Sequence, residues 1–259
     1  MHTHTDYAST NQTNQTPTGG ATMNEVDNLT PDTIDAPVLE VPLSVAQPAA
    51  AAMLVGASKD YVRPILTGAL WSNGRMIATD RYKVASYAMP TKKENHDYAR
   101  LVLGADFLIP RAALEWVTKV VASKLRHAKG NPAVVAGCTV RYEEQSAVDN
   151  GRGSLVASII DYVGTVERSQ AFDNLTGNFP PVGRILDEVL NAEPASDPGM
   201  QAFSPKFMGE IMAYLTKFSG QATEPFKLTL GESDKYGKAG PCLIQGAGAA
   251  FILQPNLLH

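Results

Sequence analysis

Val62-Arg63-Pro64-Ile65-Leu66-Thr67-Gly68-Ala69-Leu70, followed by Gly74-Arg75-Met76-Ile77-Ala78-Thr79-Asp80-Arg81-Tyr82-Lys83-Val84-Ala85, decides how this chain is read. The first run is apolar enough for a strand. Asn73-Gly74 is a dipeptide that favours the left-handed two-residue turn of a hairpin. The second run is strand-like and ends in the polar cluster Thr79-Asp80-Arg81-Tyr82-Lys83. Asp80 has no second carboxylate or histidine near it in sequence. A turn-stabilising or salt-bridging role is therefore expected rather than acid catalysis.

Around this hairpin one pattern recurs: a short strand, an amphipathic helix, then several strands. The first copy starts with a strand over Val38 to Leu43. Its helix is expected to begin either at a capping box formed by Ser44 and Gln47 or at Pro48. The hairpin supplies the strands that follow, extended by 86–90, and 91–100 reads as a loop. The second copy has a strand at Asp106 to Ile109, a helix from Pro110 to about Ala128, and strands near 133–142, 154–161 and 165–172. Asp149-Asn150-Gly151 marks a turn. The third copy places Ser204 at the N-cap and Pro205 at the first turn of a helix reaching Phe218. Strands at 225–230, 241–245 and 249–254 follow. Strands flanking single helices fit an α+β protein with helices on one face of antiparallel sheets.

Composition narrows the function classes. The chain has 259 residues, 44% apolar and 19% charged, with a formal net charge of −4. That size allows a substantial core, and that charge gives no global attraction for nucleic acid, so DNA contact needs a local basic face. Cys138 and Cys242 are far apart without a CxxC or Cys/His cluster, and read as two buried thiols. No apolar run approaches a membrane span, and the N-terminus lacks a signal-peptide pattern. No Gly-x-Ser-x-Gly, Walker loop or paired metal ligands occur, so neither an enzyme nor a cofactor is expected. Gly246-Ala247-Gly248-Ala249-Ala250 precedes a strand-like run and reads as a tight strand connection. Residues 1–36 are rich in Thr, Asn, Gln and Asp and read as a disordered tail.

The second helix carries the best signal for DNA. At about 100° per residue, Arg111, Glu115, Lys119, Arg126 and Lys129 share one arc opposite Leu114, Val117 and Val121. Lys124 lies at the edge of the apolar side, where its stem can run along it. The third helix repeats the arrangement weakly with Lys206 and Lys217. With Arg63 on the hairpin, these cations are the candidate phosphate contacts, independent of sequence and weakened by salt.

The wording of the hairpin resembles the bacterial-type DNA polymerase III β sliding clamp, whose usual phrase ends Ala-Thr-Asp-Gly-His-Arg-Leu-Ala. Phe107-Leu108-Ile109-Pro110-Arg111, Gly177-Asn178-Phe179-Pro180-Pro181-Val182-Gly183-Arg184-Ile185 and Ala250-Phe251-Ile252-Leu253-Gln254-Pro255-Asn256-Leu257-Leu258 resemble further family segments in the right order. The resemblance implies a DNA-clamp fold and a cleft that grips linear peptides of polymerases and other partners. Carried over by position, that cleft comprises Leu66, Thr79, Arg81, Tyr82, Lys83, Val84, Pro180, Arg184, Ile185, Ile252, Gln254 and Pro255. Arg81-Tyr82-Lys83-Val84 replaces the family's Gly-His-Arg-Leu, which implies either an altered peptide preference or a cleft that no longer binds the usual motif.

The same likeness divides the chain into a clamp-like domain at 37–192, a linker at 193–199 and a half domain at 200–259. Three units are present where the family has six per chain, and four copies would supply a full ring. The expected role is a processivity factor that encircles or tracks duplex DNA as a homo-oligomer and recruits a replicative polymerase, with a clamp-loader ATPase as a further partner. The expected setting is the cytoplasm of a bacterium or of a phage-infected host. The alternative is a non-ring interaction protein that binds replication partners or a host clamp.

Overall fold

The computed structural model describes residues 38–89, 106–128, 135–145, 153–198, 201–221, 223–234, 236 and 238–255. The expected tail, the loop at 91–100, the turn at 149–151 and Lys129 lie outside them. Strand β1 (Val38–Pro42) runs directly into helix α1 (Leu43–Gly56). Strands β2 (Ala69–Ser72), β3 (Arg75–Thr79), β4 (Lys83–Ala88) and β5 (Phe107–Ile109) follow. Helix α2 (Arg111–His127) leads to β6 (Thr139–Gln145), β7 (Ser154–Ile160) and β8 (Val166–Asp173). Helices α3 (Val182–Leu190) and α4 (Pro205–Phe218) precede β9 (Lys227–Leu230), β10 (Cys242–Gly246) and β11 (Ala249–Leu253).

Two antiparallel sheets result, ordered β1-β6-β7-β8 and β5-β2-β3-β4-β11-β10-β9. The hairpin turn forms as its residues dictate: Asn73 has φ 49° and Gly74 φ 77°, the doubly left-handed geometry that follows strand twist. Ala247 and Gly248 repeat it between β10 and β11, with φ 49° and 76°.

Two local expectations change. Residues 62–70 are not one strand, because Pro64–Thr67 forms a 3-10 turn and only Ala69 onward joins the sheet. Pro64 sits where its missing N–H costs nothing, and Thr67 Oγ1 donates to its carbonyl at 2.7 Å. Helix α1 begins at Leu43, with Pro48 inside it and no side-chain cap. Burial overrides both local signals: Leu43, Val45, Ala46, Ala49, Ala50, Ala52 and Met53 are all buried.

Helix α1 lies between α2 and α4 and touches strands of both sheets. Its small residues permit this. A Cβ built on Gly56 would sit 2.5 Å from Ala85 Cβ and 3.0 Å from the Ala78 carbonyl, so helix and sheet meet closer than any side chain allows. Gly56→Ala is expected to destabilise the fold by about 1–3 kcal/mol through overpacking, read as a lower urea midpoint at unchanged slope. A variant as stable as the parent would show that this contact relaxes freely.

The seven-stranded sheet is covered on both faces, because alternate residues of a strand point opposite ways. Ala78, Ala85, Ile244 and Phe251 join the main core with α1 and α4. Ile77, Val84, Leu243 and Ile252 form a second core under Val182 and Leu186 of α3. Sequence reading did not identify α3; here it lies on the face away from the other helices, clipped by Arg75 to Asp187 at 2.7 Å. The expected boundary at 193–199 does not separate two sheets. Strand β11 pairs with β4, Ile252 opposite Val84, and the described residues form one compact unit. An unpaired edge on a half domain is resolved by joining the sheet already present.

Candidate functional site

The site is built where the turn between β3 and β4 meets α4. Asp80 Oδ1 accepts from the backbone N–H groups of Tyr82 and Lys83, both at 3.0 Å, an Asx-turn geometry. Thr79 Oγ1 donates to the Lys83 carbonyl at 2.8 Å and accepts from Arg81 N–H at 3.1 Å. These bonds hold Arg81 at φ 82°, in a region that side-chain-bearing residues seldom occupy. The turn turns Arg81 and Tyr82 to solvent and Lys83 inward.

Lys83 is 5% exposed and fully engaged. Its Nζ reaches Asp80 Oδ2 at 2.7 Å and Glu210 Oε2 at 3.2 Å, and lies 4.4 Å from the centre of the Phe207 ring. Lys59 holds the other oxygen of Glu210 at 3.3 Å. Partial burial would raise the Glu210 pKa, but Lys83 and Lys59 outweigh it and leave the carboxyl below its ordinary range. Tyr82 stacks on Phe207 with centroids 6.2 Å apart, and the Arg81 guanidinium lies 5.7 Å from the Tyr82 ring centre. Beside these groups is a cavity of about 240 Å³, lined also by Arg63, Leu66 and Lys206.

The expected cleft segments do converge. Val84 and Ile252 face each other across the β4–β11 ladder, and Gln254 N–H donates to the Tyr82 carbonyl at 3.2 Å. Their accessibility differs from that of an open groove. Leu66, Thr79, Lys83, Val84, Ile252 and Pro255 are buried, Val84 and Ile252 beneath α3. Arg81, Tyr82, Arg184, Ile185 and Gln254 are exposed and Pro180 is half-buried. Arg184 pairs with Glu188 at 3.2 Å. Sequence reasoning missed a second cavity of about 480 Å³ between the end of α3 and β9–β10, with Val189, Leu230 and Leu243 among Glu188, Glu193 and Glu232. No local signal marks it, since it depends on α3 packing against a strand from the chain's last quarter.

The expected DNA cations separate into four groups. Lys119 and Arg126 are exposed on α2 without an ion pair among the described residues. Arg111 is held by Glu115 at 2.9 Å and donates to the Ser58 carbonyl at 3.3 Å, while Lys124 pairs with Glu167. Lys217 lies over the Phe218 ring at 5.0 Å. Arg63 and Lys206 face the cavity beside Arg81 and Tyr82, so residues read from sequence as DNA contacts and as cleft residues share one site.

Among solved structures, the chain is similar to the sliding clamp of Bartonella birtlesii, with 14% identity, a TM-score of 0.53, and coverage of 86% of this chain and 67% of that one. It also matches the clamp of C. crescentus (13%, TM-score 0.45, 85% and 65%) and DNA polymerase III β of Thermotoga maritima (15%, 0.44, 91% and 69%). No protein-family model and no curated protein matches the sequence. The fold is of the sliding-clamp type, with helices packed on antiparallel sheets. The chain spans about two thirds of the length of these clamps, 65% for that of C. crescentus. Among the described residues no helix is long and apolar enough to cross a membrane.

Proposed function

We infer that this chain is a sliding-clamp-like processivity factor, a non-enzymatic protein that tracks duplex DNA and recruits a polymerase by a linear peptide. The observation that carries this reading is the convergence, on a clamp-type fold, of the β3–β4 turn, the helix at 182–190 and the strand at 249–253. Exposed Lys119 and Arg126 supply sequence-independent phosphate contacts. The outer edges of β8 and β9 pair with no strand among the described residues, and Val166 and Leu228 are exposed there. Such edges suit assembly with further copies. The proposed setting is the cytoplasm of a bacterium or of an infected host, with a loader ATPase as a further partner.

A second reading, a clamp-fold interaction protein that never encircles DNA, is favoured by the pairing of Arg111 and Lys124 with carboxylates and by the net charge of −4. Native mass measurement with and without primed circular DNA separates the two. The clamp reading expects an oligomer retained on the circle and released on linearisation. Lys119→Glu with Arg126→Glu is expected to cut retention at least tenfold at low salt, because phosphate contacts are lost and repulsion added. A monomer that ignores circular DNA would favour the second reading.

A further inference from the structure

Arg63 and Lys206, distant in sequence from Arg81 and Tyr82, open with them onto the same cavity of about 240 Å³. We propose that this cavity is a recess that reads a carboxylate side chain of an acidic linear peptide, with Arg63, Arg81 and Lys206 setting the preference. The proposal rests on the peptide-cleft reading above and assigns that cleft a charge specificity.

Five cations line the cavity against three carboxylates. Two of those carboxylates are held by lysines, and the third, Asp60, accepts one backbone N–H. Asp80 accepts from two backbone N–H groups and from Lys83, Glu210 from Lys83 and Lys59, and Asp60 from the Val62 N–H at 2.9 Å. Those bonds engage Lys83 and Lys59 and leave Arg63, Arg81 and Lys206 without an ion pair among the described residues. The cavity therefore presents three cations outside any ion pair among the described residues against one carboxylate, Asp60, that no cation holds there, an excess of two positive charges.

Arg81 strengthens the case because its backbone suits another residue. At φ 82° a glycine would be unstrained, yet the turn bonds of Thr79 and Asp80 hold an arginine there. Strain kept in place by surrounding bonds marks a position with a task. Beside the cations, Tyr82 is 58% exposed and backed by Phe207, a flat apolar shelf for the rest of a peptide. The recess admits roughly one long side chain, whereas tracking a nucleic-acid backbone needs an extended basic groove. A guanidinium pair with a carboxylate is the matching chemistry.

The test uses the full chain and fluorescence anisotropy at low salt. Its probes are a fluorescein-labelled nonapeptide of Glu, Leu and Phe and a twin in which every Glu is Gln. The Glu peptide is expected to bind at least tenfold more tightly, with the ratio shrinking as sodium chloride is added. Arg81→Gly and Lys206→Gln are each expected to weaken the Glu peptide about fivefold and leave the Gln twin unchanged. Arg81→Gly should hold or raise thermal stability, so a fall in affinity cannot come from unfolding. Equal binding of the twins, or indifference to both substitutions, would overturn the proposal while leaving the cleft reading in place. Binding of neither twin would overturn both. A labelled oligothymidylate whose binding falls in Arg81→Gly, while the Glu peptide is unaffected, would reassign the recess to single-stranded nucleic acid.

Discussion

Lys83→Met is expected to destabilise the folded chain by about 2–4 kcal/mol and to change how its stability responds to acid. Removing one partner of a buried ion pair strands the other, at a cost of about 3–5 kcal/mol when burial is complete. Here the stranded groups are Asp80, with a 13% exposed side chain, and Glu210, at 26%, so water offsets part of that cost and the loss falls around or below the lower end of that range. Methionine keeps the stem but gives up two ion pairs and the contact with Phe207.

The sign of the pH effect follows from Glu210. Its folded pKa is depressed below the ordinary 4.5, so it contributes stability that is present above that pH and lost as pH falls through the folded value. Without Lys83 the depressing charge is reduced to that of Lys59, and burial opposes ionisation. Urea midpoints should therefore fall below pH 4.5 in the parent and respond less in Lys83→Met. Equal acid sensitivity in the two proteins would show that Lys83 does not hold Glu210 ionised.

Phe251→Ala should cost about 3–5 kcal/mol, enough to leave a domain of ordinary stability largely unfolded. Phe251 is 1% exposed on β11, opposite Ala85 on one side and Ile244 on the other. Its ring meets Tyr214 of α4 edge-on at 5.2 Å, and Tyr214 O–H in turn donates to the Ala247 carbonyl at 3.0 Å. Deleting the ring opens a cavity where helix, sheet and turn are joined, with little freedom to collapse. Chemical denaturation reads the loss directly. Phe251→Leu, which keeps most of the volume, should lose less than half as much. Equal losses would place the effect in backbone disruption rather than in the cavity.

What the sequence made legible is what depends on neighbours along the chain. Asn73-Gly74 gave its turn, the apolar stripe of α2 gave its buried face, and Pro205 gave the start of α4. Asp80 acts as both turn former and ion-pair partner, as its isolation from other catalytic groups implied. The start of α1 was hidden because long-range burial outweighs capping and Pro48 together. Helix α3 carries helical spacing in Val182, Ile185, Leu186 and Val189, but its nine residues follow Pro180-Pro181 and hold Gly183 in the first turn, which disguises so short a helix. At the candidate site, the hairpin wording pointed to Arg81, Tyr82 and Lys83. Their meeting with Arg63, Lys206 and Glu210 depends on α4 docking across the sheet, which no local pattern encodes.

The β4–β11 ladder also sets an order of events during synthesis. Roughly 160 residues separate the two strands, and at about 5–20 residues per second the ribosome needs roughly 8–30 s to deliver the second after the first. Throughout that interval the nascent β4 carries a bare row of backbone donors and acceptors, and Val84 stays uncovered at least until α3 has been made. The protein therefore completes its central sheet only once β11 has been made, and anything that shields that edge in the meantime, a chaperone or a sister chain, governs how much of it folds.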